Sequence, residues 1–183
     1  MKRAILTTSL LLFIFFTSNI SAGSYEDAIT EWKTHEDVAD WLNSNFSFDK
    51  SRQKQVIKRL KKQGPSGLLV RNAKDLYENN NNGFCGDSAN FAFTSLNKID
   101  PAYNARWVFI KNSKGRPNHW VTAFDHEGKL YIMDYGTGKK WAKMKGIHGP
   151  YESLDDYRDY LESLSLPKFG VAKVFFRDMP GQE

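Results

Sequence analysis

The chain holds a single cysteine, Cys85, and only six prolines among its 183 residues. A lone cysteine cannot close a disulfide within its own chain, so a disulfide scaffold is excluded. No C-x-x-C or H-E-x-x-H pair occurs; close-spaced ligands of that kind are the usual sign of a zinc site, and without them a metal set drawn from Cys85, His119, His148 and Asp134 is disfavoured. The longest apolar run, residues 4–16, is broken by Thr7, Thr8 and Ser9 and falls short of the roughly 18 to 20 residues needed to cross a bilayer, which excludes a multi-span membrane protein. No period of 20 to 50 residues repeats and no Pro/Gly/Ser-rich linker interrupts the chain, so neither a solenoid nor a second domain is expected. What is present is enough for a core: 40% hydrophobic and 14% aromatic residues against 26% charged, with a net charge of +5. A disordered tail and a collagen-like repeat are excluded by the same balance.

Residues 1–22 read as a secretory signal peptide. Lys2 and Arg3 form a positive start, the apolar run follows, and Ile20-Ser21-Ala22 ends in a small residue fit for cleavage. The expected mature chain is a single domain, residues 23–183, mildly basic, exported to the periplasm or secreted, with no stable membrane anchor after cleavage. In an oxidising compartment cysteines usually pair. Cys85 is then a free thiol, an intermolecular bridge, a catalytic nucleophile or a small buried hydrophobe.

The first half of the mature chain has helical spacing. Thr34 and Asp37 form a capping-box-like start followed by Val38, Trp41 and Leu42 on one face. A second helix is predicted over 50–63, stopped by Gly64-Pro65, and a third from about 67 to 78 that dissolves in the asparagines of 79–82 and Gly83. The second half changes period. Residues 107–110, 119–124, 130–133 and 171–177 are short β-branched and aromatic runs, and 154–164 returns to helical spacing behind Ser153 and Asp156. Helices followed by mostly antiparallel strands predict an α+β fold, a helical lobe packed on a sheet.

Cys85 begins a further helix. Ala89, Ala92, Phe93 and Leu96 follow at offsets of four, seven, eight and eleven, so the thiol tops the stripe expected to face the core. Unpaired backbone N–H groups and the positive end of the helix dipole favour a thiolate there. Gly83 and Gly86 are read either as room for a substrate backbone to approach the sulfur or as turn residues.

A thiol nucleophile needs a proton acceptor. His119 shares a strand face with Val121 and Ala123, and Asp134 follows Leu130 and Ile132 on the face of the next strand. If Glu127-Gly128 is a two-residue hairpin turn, Asp134 stands across from Val121 and His119 across from Gly136, making His119 and Asp134 diagonal neighbours on one face. A three-residue loop would send Asp134 to the opposite side. A carboxylate on an inward face is costly without a partner, and an imidazole N–H supplies one. Cys85 as nucleophile, His119 as base and later acid, and Asp134 as the group that orients the imidazole form a consistent set.

The order Cys85, His119, Asp134, with the cysteine starting a helix and the other two on adjoining strands, resembles the transglutaminase-like superfamily of cysteine peptidases, amidases and acyltransferases over residues 82–136. The resemblance implies a papain-like α+β core in which the nucleophile helix packs on an antiparallel sheet. It further implies acyl transfer through a thioester, without metal or cofactor, on a protein, peptide or cell-envelope amide. The backbone N–H of Cys85 is the natural first oxyanion donor; the second stays open among Asn82, Asn118 and Trp120.

Two basic stretches, 58–62 and 139–145, the latter interleaved with Trp141, have the composition of nucleic-acid binders but are read as solvated surface, so no nucleic-acid partner is expected. The segment 146–151 is taken as a loop, at the rim of the cleft with His148 and Tyr151 facing a ligand, or merely linking a strand to the next helix. The contrasting function class is a non-catalytic module that keeps the fold and binds a peptide or cell-wall polymer in its cleft.

Overall fold

The computed structural model describes residues 23–181; the expected signal peptide, residues 1–22, lies outside the described residues. The helices are α1 (Tyr25–Glu31), α2 (His35–Asn45), α3 (Lys50–Gln63), α4 (Ala73–Glu78), α5 (Cys85–Ile99) and α6 (Leu154–Ser163). The strands are β1 (Ser47–Phe48), β2 (Asn82–Gly83), β3 (Arg106–Asn112), β4 (His119–His126), β5 (Lys129–Asp134), β6 (Gly146–Tyr151) and β7 (Val171–Phe176). The last five form one sheet in the order β6-β5-β4-β3-β7, antiparallel throughout, and β1 with β2 makes a short parallel pair beside it. The class is α+β, as predicted.

Local chemistry accounts for most boundaries. Asp37 accepts from the backbone N–H of Thr34 at 2.9 Å and opens α2; Ser153 and Asp156 do the same for α6. Gly64, at φ 67°, ends α3 where the sequence places the stop. Glu127 and Gly128 both have positive φ, 52° and 73°, as a two-residue type I′ hairpin turn demands. That turn sets Thr122 opposite Met133 and Ala123 opposite Ile132, the expected register.

Two expectations give way. The helix predicted over 67–78 starts only at Ala73, where the Asn72 side chain accepts from the Asp75 N–H at 2.8 Å. Leu68, read as an apolar residue of that helix, is instead buried just past a 3-10 turn, and Val70 is buried in the irregular stretch after it. The segment taken as a loop is strand β6, paired with β5. His148 is spoken for within it: Nε2 lies 2.7 Å from the Met144 carbonyl oxygen and Nδ1 lies 3.0 Å from the Tyr160 hydroxyl.

Both faces of the sheet are covered. Phe124 and Met133 pack with Phe91, Ala92 and Leu96 of α5, and α1, α2 and α4 close over that helix. Val121, Ala123, Leu130 and Ile132 pack with Tyr157 and Leu161 of α6. From Cys85 to Ala92 every residue of α5 is buried, which is more than a single stripe predicts. The cause is α3, whose Val56 packs near Phe84, Cys85 and Ala89 on the side away from α4. The hydroxyl of Thr122 donates to the Ala89 carbonyl at 2.6 Å and ties helix to sheet.

The start of α5 is fixed by a buried ion pair. Asp87 is fully buried, and Arg52 of α3 grips it with two bonds, 2.6 Å from Nε and 2.9 Å from Nη2. The same carboxylate accepts the backbone N–H groups of Phe84 (3.0 Å) and Arg71 (2.9 Å). Four donors from three segments thus meet on one group, and removing it strands a buried guanidinium. Asp87→Ala is expected to lower unfolding stability by about 3 to 5 kcal/mol in urea titration; a loss under about 1 kcal/mol would show that the pair does not anchor the helix.

Candidate active site

His119 is the first residue of β4 and Asp134 the last of β5. The imidazole Nε2 lies 2.7 Å from Asp134 Oδ2, and the other carboxylate oxygen accepts the Gly136 N–H at 3.0 Å. Both side chains are all but sealed from water, His119 at 2% and Asp134 at 1% exposure. An ionised carboxylate only accepts, so Nε2 carries the proton of this bond and Nδ1 is the nitrogen left for the sulfur. The Cys85 thiol is the imidazole's second polar side-chain partner. The three residues singled out in the sequence are therefore brought together, in the order thiol, imidazole, carboxylate.

They do not meet across the helix–sheet interface. His119 and Asp134 alternate with the residues that face α5 and so project from the face that packs α6. Cys85 reaches them around the end of the sheet, where the chain leaving β5 passes the first turn of α5. Gly136 makes this close passage: a Cβ there would stand 2.4 Å from Cys85 Cα and 3.0 Å from its Cβ. Gly83 and Gly86 have no such part in admitting a substrate. A Cβ on Gly83 would meet an Asp87 oxygen at 2.5 Å, and one on Gly86 the Phe84 ring at 2.7 Å, so the space beside both is filled by the protein's own packing.

Burial pulls the His119 pKa down, but the Asp134 carboxylate, by charge and hydrogen bond, and then the Cys85 thiol outweigh it and raise the pKa from 6.5 to about 10. Trp141 covers the imidazole edge-on, its ring centroid 5.9 Å away, and is itself held by Phe169 at 4.8 Å and by an indole N–H bond of 3.1 Å to the Pro167 carbonyl. The aromatic in the basic stretch is thus a shield for the histidine. The negative charge of Asp87, two residues beyond the thiol, would oppose a thiolate at Cys85; the clamp by Arg52 neutralises it.

The sulfur opens on a cleft of about 220 Å³ with an apolar floor of Val56, Phe84, Phe109 and Trp120. Neither His119 nor Asp134 lines it, so a molecule in the cleft meets the thiol first. Of the three candidate oxyanion donors, Asn118 and Trp120 line the cleft and Asn82 does not, its side-chain oxygen accepting instead from Arg71. Asn118 accepts the Asn112 N–H through Oδ1 at 3.1 Å, so its amide NH₂ is the donor that side chain can offer. Gln53 of α3 is a further amide on the wall. The N–H of Cys85, at the first position of α5, has no partner within the helix. Among the described residues no group of three or more His, Cys, Asp or Glu side chains is placed to hold a metal ion.

Sequence reasoning missed Arg52, Gln53, Asp87, Gly136 and Trp141. Asp87 stands at a capping position three residues after Phe84, a readable signal; its partner Arg52 lies 35 residues upstream with no pattern to join them. Neither a protein-family model nor a curated protein matches this chain.

A raised histidine pKa stabilises the fold fully below about 6.5, and that contribution fades as pH climbs through about 10. NMR of the ring nitrogens is expected to show His119 doubly protonated at neutral pH. In Asp134→Asn the burial cost is opposed only by the weaker contribution of Cys85, and the midpoint is expected to fall by at least 2 pH units; an unchanged midpoint would remove Asp134 as the cause.

Proposed function

We propose that the protein is an exported, transglutaminase-like thiol enzyme with a papain-like core, acting on amide bonds of a protein, peptide or cell-envelope substrate. The observation that carries this is the buried line of thiol, imidazole and carboxylate ending on a cleft that only the sulfur reaches. With the thiol proton already held on the His119 imidazolium, the Cys85 sulfur attacks the amide carbonyl, forming a tetrahedral intermediate whose oxyanion the Cys85 N–H and a wall amide receive. The carbon–nitrogen bond breaks as His119 returns the proton to the leaving amine, and a thioester remains. Water or a second amine then attacks that thioester, His119 taking its proton and keeping it as the sulfur departs, which restores the starting state. Asp134 keeps the imidazole oriented and offsets its charge while protonated. Peptidase, deamidase and acyl-transfer outcomes share these steps and differ in the acceptor.

Mass spectrometry after incubation with a peptide or envelope-extract library is expected to find an acyl adduct on Cys85. Cys85→Ala should abolish turnover, and His119→Ala should reduce it by about 10² to 10⁴. Alkylation of Cys85 should be fast, and slower in His119→Ala. No adduct, together with slow alkylation that ignores His119, would leave the non-catalytic binding module in its place.

A further inference from the structure

Arg116 and Arg177 line the same cleft as Cys85, and no aspartate or glutamate does. Four other arginines are paired with carboxylates: Arg52 with Asp87, Arg71 with Asp75, Arg106 with Asp125, and Arg158 with Asp155 and Asp159. Among the described residues, no carboxylate pairs with either cleft arginine. Arg177 is half-buried, its guanidinium carbon 5.0 Å from the Phe109 ring centroid and 5.9 Å from that of Trp120, so the planar fork is laid against the aromatic floor. Arg116 is exposed, one residue from Pro117 and two from Asn118, both also on the wall. Two uncompensated guanidiniums beside an apolar floor form a surface that attracts an anion attached to an apolar body.

We infer that the amide substrate carries a carboxylate next to an apolar or aromatic side chain, the carboxylate received by Arg116 and Arg177 and the side chain resting on Val56, Phe109 and Trp120. This rests on the thiol chemistry proposed above and adds the substrate's charge and polarity. Guanidinium forks match a carboxylate with two parallel bonds, and on a chain of amides the anionic groups are carboxylates, from acidic side chains or a free C-terminus.

Chloroacetyl-phenylalanine and its carboxamide present one electrophile and one ring, with and without the charge. Labelling of Cys85 by the acid is expected to be about tenfold faster than by the carboxamide in dilute buffer, with the preference largely lost near 1 M salt, where the Debye length is about 3 Å. Arg116→Gln and Arg177→Gln should each lower that ratio, and the double variant should bring it close to one. Because both reagents report on the same sulfur, the ratio is insensitive to a general change in thiol reactivity. Lys140→Gln, a cation outside the cleft, should leave the ratio intact. A ratio near one while chloroacetamide itself labels Cys85 rapidly overturns the carboxylate subsite and leaves the nucleophile standing. Slow labelling by all three reagents, unaffected by His119→Ala, overturns both.

Discussion

Asp134 sits in a part of the protein that water does not reach, and a carboxylate there without a charged or hydrogen-bonding partner would cost several kcal/mol. His119 at 2.7 Å and the Gly136 N–H at 3.0 Å are what make its burial tolerable. The dependence runs in both directions. An imidazole at 2% exposure would be expected to give up its proton to avoid a buried charge, and the adjacent carboxylate, seconded by the Cys85 thiol, reverses that preference. The pair therefore behaves as one unit whose state is set by the interior, and the packing of α6 and Trp141 that keeps water out also sustains the polarity of the site.

The thiol is delivered to that unit by a separate set of constraints. Helix α5 is positioned by the Arg52–Asp87 clamp at its start, by Thr122 against Ala89 one turn on, and by close packing against β3 and β4. None of these contacts involves His119 or Asp134. At the site, sheet and helix come together where the chain leaving β5 passes Cys85 at Gly136. A side chain at that one position would hold the sulfur off without disturbing either half.

The parts legible in the sequence are those that depend on neighbours along the chain. The caps of α2 and α6, the stop of α3 and the β4–β5 turn each follow from a few adjacent residues, and because side-chain alternation has a period of two, the turn alone fixed Asp134 beside His119. Long-range packing was not legible. Leu68 and Leu69 read as part of a helical stripe, yet Leu68 is drawn into the core outside any helix, since Asn72 caps α4 and draws the boundary forward. Segment 146–151, with two glycines and a proline, reads as a loop by composition, yet pairing with β5 outweighs the poor strand propensity. The face question had the same origin: alternation puts His119 and Val121 together, but not which helix lies above them.

Placing the imidazole on the far side of the sheet from the nucleophile helix has a chemical consequence. A molecule in the cleft approaches over the floor of Phe84, Phe109 and Trp120 and meets Cys85, a residue only 4% exposed, while the histidine is roofed by Trp141. In the proposed mechanism, proton transfer and carbon attack would occur on opposite sides of one sulfur atom. The side facing the histidine is dry and governed by Asp134; the side facing the cleft is open and governed by its arginines and aromatic floor. On the proposed mechanism, substitutions on the cleft wall would change which molecule is received without altering the proton at the imidazole, and changes around Asp134 would act on that proton while leaving recognition as it was.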